Sequence, residues 1–189
     1  MSLKFRLGLM MFLQYAIWGS WSPVLSDYLL NRLGFNGTQV GFIYSLLPLA
    51  TIISSFIGGQ VADRYLATQK VIAILQLIGG NLLIFGSRLS DFASLAGLML
   101  AYCLIYAPTL ALTNSLAFHH LEDTQKEFGQ VRVWGTIGWI VAGLLLAGWR
   151  LSFKSFHIAP IAGDTLLLAG VFSIIDGSNF FPPPPYSPE

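Results

Sequence analysis

Residues 92–121, FASLAGLMLAYCLIYAPTLALTNSLAFHHL, run from Asp91 to Glu122 without one charged side chain. Thirty residues of helix rise about 45 Å, more than the roughly 30 Å hydrocarbon core of a bilayer. The stretch reads as a transmembrane helix, and its neighbours read the same way. Charge-free blocks of 20, 30, 17 and 17 residues lie between Arg6 and Asp27, Arg32 and Asp63, Lys70 and Arg88, and Arg132 and Arg150. A sixth stretch, Ser155 to Ile175, is interrupted only by Asp164, which has to face protein or water if that stretch crosses. The expectation is an all-α integral membrane protein. Its six-transmembrane-helix bundle occupies 1–176, with spans at 7–26, 38–61, 71–87, 92–118, 132–149 and 157–175.

Composition agrees. Of 189 residues, 54% are hydrophobic and 10% charged, where a soluble domain carries about 25% charged residues. Ten basic against nine acidic side chains give a net charge of +1, so there is no basic footprint for nucleic acid. The single cysteine, Cys103, excludes an intrachain disulfide framework and a cysteine-based zinc site. Lys4 and Arg6 before an apolar run suggest a secretory signal, but the run is too long, carries Trp18 and Trp21, and lacks a cleavage-site pattern.

Short loops make successive helices antiparallel neighbours. The expected loops are 31–38, with an Asn36-Gly37 turn and a cap at Thr38; 62–70; 87–91; a long polar loop at 119–131; and 150–157. With the N-terminus in the cytoplasm, Lys4, Arg6, Arg64, Lys70, Lys126 and Arg132 lie inside, while Arg32, Arg88, Arg150 and Lys154 lie outside. The basic excess favours that orientation. Residues 177–189 read as a disordered tail, because Pro182 to Pro185 cannot continue a helix. Within it, Pro183-Pro184-Pro185-Tyr186 matches a pattern read by WW modules.

Polar residues inside spans are costly and need a partner, a cavity or an interface. Arg132, Thr136 and Trp139 fall at i, i+4 and i+7, placing a guanidinium, a hydroxyl and an indole on one helical face. Such a face suits a planar polar solute, which can stack on the indole and accept bonds from the other two. The alternative leaves Arg132 snorkelling to the interface and Trp139 packed on a neighbour. Gln14, Trp18 and Trp21 repeat the spacing in the first block; Gln14 sits at mid-depth and needs another helix or a substrate as partner, whereas Trp21 suits an aromatic belt. Tyr102, Tyr106, Thr109 and Thr113 form a stripe beside Pro108 and Asn114, either bonding helix to helix or lining a cavity. Gly59, Asp63 and Arg64 suit a cytoplasmic turn with a conformational role. His119 and His120 beside Glu122 and Asp123 point to different faces, which disfavours a shared metal. No nucleophile, phosphate loop or H-E-x-x-H pattern suggests an enzyme.

These residues also carry a resemblance. Gly59-x-x-x-Asp63-Arg64 is similar to the loop signature of the major facilitator superfamily. Phe12-Leu13-Gln14-Tyr15-Ala16-Ile17-Trp18-Gly19-Ser20-Trp21, Tyr106-Ala107-Pro108-Thr109-Leu110-Ala111-Leu112-Thr113-Asn114 and Val131-Arg132-Val133-Trp134-Gly135-Thr136-Ile137-Gly138 resemble the amino-terminal half of the bacterial nucleoside:proton symporters in that superfamily. The resemblance covers about residues 3–175. It implies one six-helix half of a twelve-helix fold in the bacterial inner membrane, moving nucleosides inward by alternating access with a proton as coupling ion and no cofactor. On that basis Arg132 and Thr136 touch the nucleoside, and Trp139 stands where family members carry Phe. Gln14, Trp18, Thr109 and Asn114 become further cavity candidates.

The second half, with its proton-coupling acids, has no counterpart in these residues, and the family gives no role to Asp164. A working transporter then needs a second six-helix half or a homodimer partner; a truncated reading frame or gene fragment would account for the chain's extent. Two other functions stay open: an inactive or regulatory half-transporter subunit, and a transporter of another polar solute such as a sugar.

Overall fold

Every regular element among the described residues is helical. The computed structural model describes residues 3–62, 68–121, 123–155, 171–173 and 175, with backbone alone for 55–62 and 152–155. The elements are α1 (Leu3–Trp21), α2 (Leu25–Asp27), a π-helical turn (Tyr28–Arg32), α3 (Gly37–Ala62), α4 (Thr68–Gly86), α5 (Phe92–His120) and α6 (Thr124–Ser155). Four are long and apolar enough to cross a membrane, through Gly37–Ser54, Thr68–Gly86, Phe92–His120 and Thr124–Leu151. Helix α1 is not among them, since Lys4, Arg6 and Gln14 dilute it. Asp63, Arg64, Glu122, Asp164, most of the expected sixth span and the tail lie outside the described residues.

Several boundaries differ from the sequence reading, among them the end of α6, which runs to Ser155 through most of the loop expected at 150–157. The first charge-free block does not make one helix. Pro23 cannot continue α1, so the chain turns at Ser22, makes the single turn of α2, and winds through the π turn before Gly34, at φ 70°, redirects it. Such a break strands backbone groups in an apolar setting. The Tyr44 hydroxyl on α3 fills the gap, donating to Ser22 O at 2.6 Å and accepting from Ser26 N–H at 3.0 Å.

The cap of α3 falls on Asn36 rather than Thr38. Asn36 Oδ1 accepts from Gln39 N–H and Gln39 Oε1 from Asn36 N–H, both at 2.9 Å, a reciprocal capping box. The expected long loop at 119–131 shrinks to three residues, because α6 starts at Thr124. Asp123 caps it, its Oδ1 accepting from Lys126 N–H at 3.2 Å, and Glu127 pairs with Lys4 of α1 at 2.6 Å. Polar residues thus extend the helix beyond its apolar run.

Helix α1 lies along α6, while α5 packs between α3 and α4; the two groups approach each other much less closely. Glycines set the α1–α6 crossing. A Cβ added at Gly19 would sit 2.5 Å from Trp139 O and 2.7 Å from its Cα, and one at Gly138 would collide with the Phe12 carbonyl. Each helix therefore lays bare backbone against the other. Ion pairs hold α6 at both ends, Lys4–Glu127 to α1 at one and Arg150–Asp27, at 3.4 Å, to α2 at the other.

Candidate functional site

The face predicted on α6 exists as an exposed surface beside α1. Arg132 is half-buried, Thr136 is exposed and Trp139 is 38% exposed. The Arg132 guanidinium carbon stands 4.0 Å from the centroid of the Tyr15 ring on α1. Trp18, half-buried, meets the same ring at 6.4 Å between centroids with a 57° tilt. Among the described residues no carboxylate forms an ion pair with Arg132. The guanidinium is held by an aromatic face instead, an attraction of about 0.5 to 2 kcal/mol depending on hydration.

Two of the cavity candidates lie elsewhere. Gln14 and Thr109 are fully buried and bond across helices. Gln14 Nε2 donates to Thr109 Oγ1 at 2.8 Å, and Gln14 Oε1 accepts from Gln76 Nε2 of α4 at 2.5 Å. Thr109 Oγ1 donates to Tyr106 O at 2.6 Å, and Tyr106 OH donates to Gln14 O at 2.7 Å. Ser173 Oγ reaches Gln76 Oε1 and Gln76 O, each at 2.7 Å. The network joins α1, α4, α5 and the short helical segment 171–173, so Gln14 finds the helix partner that sequence reasoning offered as one of its two options.

Asn114 is half-buried, and its buried Oδ1 has no hydrogen-bond partner among the described residues. An acceptor in that state is open to a donor. Gly59 falls in the backbone-only end of α3. His120 Nδ1 lies 2.9 Å from Leu116 O, and no group of three metal-ligating side chains occurs among the described residues. A concavity of about 250 Å³ lies between Thr68, Gln69, Leu116, His119 and His120, and an apolar one of about 170 Å³ between Phe5, Leu9, Phe12 and Trp134. Neither includes Arg132, whose face is open surface.

Sequence reasoning singled out neither Gln76 nor Tyr15. Gln76 carried a signal, an amide deep in a charge-free block like Gln14. Tyr15 carried none, because its pairing with Arg132 spans helices far apart in sequence.

Long apolar helices around a buried amide network, with a cation displayed on one face, define a multi-span helical membrane protein. The chain belongs to the nucleoside H+ symporter family, whose model matches residues 1–184. It is similar to YegT of Escherichia coli strain K12, 37% identical over 184 residues, covering 96% of this chain and 43% of YegT. It is also similar to the xanthosine permease of the same strain, 35% identical over 173 residues, covering 89% and 41%. The crystal structure of the nucleoside transporter NupG superposes with a TM-score of 0.83 at 30% identity, covering 95% of this chain and 44% of that one. The chain thus spans less than half the length of the relatives it matches, and corresponds to their amino-terminal half.

Proposed function

We propose that these residues form the amino-terminal six-helix body of a proton-coupled nucleoside transporter of the major facilitator type. It sits in the bacterial inner membrane with its N-terminus in the cytoplasm. The observation that carries the reading is the α6 face, where Arg132, Thr136 and Trp139 stand exposed beside Tyr15 and Trp18 on a helix long enough to span. A lone cation on a lipid-facing surface is costly, whereas the same cation facing a second helical body has a purpose. That body is either further polypeptide or another chain, and nucleoside binds between the two, with the proton as coupling ion and no cofactor. The names of the relatives, a xanthosine permease and a nucleoside transporter, point to the same substrate class.

The test is uptake of labelled uridine and adenosine into transporter-deficient bacteria expressing the chain, with and without a proton gradient. Gradient-dependent uptake that falls at least tenfold in Arg132→Ala at matched expression supports the reading. Uptake indifferent to that substitution overturns the assigned face, and uptake indifferent to the gradient overturns proton coupling.

A further inference from the structure

The stacking of Arg132 on Tyr15 depends on an empty position between them. A Cβ built on Gly135 would stand 2.7 Å from Tyr15 Cδ2 and 2.9 Å from Arg132 Nη1. Gly135 is thus a notch in α6, admitting the ring from α1 beneath the guanidinium one turn below the Thr136 hydroxyl. An arginine on an exposed helix face otherwise samples many rotamers, and ordering a side chain of that length costs conformational entropy. Stacking removes part of that cost before any ligand arrives. The Tyr15 ring meets the guanidinium carbon at 4.0 Å and presents no oxygen acceptor there, so the five N–H donors are left for other acceptors.

We propose that Tyr15 and Gly135 are positioning residues for nucleoside binding: ring and notch together hold the Arg132 guanidinium so that its donors meet oxygen acceptors of the nucleoside. This rests on the function proposed above. The hydroxyl of Tyr15 has no part in it, and the aromatic face is what counts.

Two measurements on the full chain in detergent separate the two claims. The first is the rate at which phenylglyoxal modifies Arg132, read by peptide mass spectrometry. Tyr15→Phe leaves the rate unchanged, while Tyr15→Leu and, independently, Gly135→Ala raise it about 2- to 30-fold, the range of a cation–π contact. The second is equilibrium binding of labelled uridine. Tyr15→Leu weakens binding by a similar factor, Tyr15→Phe retains it, and Tyr15→Leu adds nothing once Arg132 is Ala. Modification rates equal in all variants overturn the proposal, as does an affinity loss that persists in the Arg132→Ala background. Where the chain binds no uridine without the second body that completes the site, the modification rates alone decide whether Tyr15 and Gly135 hold the guanidinium.

Discussion

At the scale of single residues, the amides divide into those with partners and those without. Gln76 holds Gln14 and Ser173 at once, so Gln76→Leu strands the Gln14 acceptor and leaves Ser173 Oγ with only the backbone carbonyl of residue 76. Interhelical hydrogen bonds in membranes contribute about 1 to 2 kcal/mol at the upper end. Gln76→Leu is therefore expected to lower the thermal midpoint in detergent by several degrees, whereas Asn81→Leu, on an exposed position bonded only to its own helix, leaves it nearly unchanged. Equal midpoints for the two variants would remove the network as a stabilising feature. Gln14 shows how far single-residue reading reaches. Its position shows that a partner is needed, but choosing between helix and substrate requires knowing that α4 and α5 bring Gln76 and Thr109 to it.

At the scale of elements, the absence of charge marks where helices run because burying a charge in hydrocarbon is prohibitive. It does not mark where they stop. The first turns of α6 are polar and still helical, stabilised by Asp123 and by the Lys4–Glu127 pair, while the apolar block after Gly19 breaks at Pro23 because Tyr44 satisfies the break. The crossing of α1 on α6 was equally hidden: Gly19 and Gly138 are visible in the sequence, but their apposition to backbone is not. Gly138→Ala is expected to cost about 1 to 3 kcal/mol, the range for overpacking, because the obstructing Phe12 carbonyl cannot rotate away. Gly143→Ala, with nothing within 4 Å of the new Cβ, serves as control, and comparable thermal midpoints would argue against the close crossing. Helix α5 carries a pH signature at its start. Ser94 N–H and hydroxyl donate to Asp91 Oδ2 at 2.9 and 3.0 Å. The backbone bond foremost holds this carboxyl below its ordinary value of 3.8. A lowered folded value means the cap stabilises above the unfolded pKa and is lost as pH falls through the folded one. Asp91→Ala should accordingly differ from the parent in thermal midpoint at pH 7 and converge with it towards pH 3.

At the scale of the whole molecule, α1 with α6 and α5 with its neighbours α3 and α4 form two groups, and the amide network is the polar tie between them. This arrangement governs how the protein is made. Helix α1 leaves the ribosome before α4, α5 and α6, so Gln14 meets Gln76 only after 62 further residues and Thr109 after 95, and Lys4 meets Glu127 after 123. At about 5 to 20 residues per second, Gln14 waits roughly 3 to 12 s for Gln76 and roughly 5 to 20 s for Thr109. Helix α1 is thus made ahead of the partners that fix it in place, and until they arrive its buried amide needs another hydrogen-bonding environment.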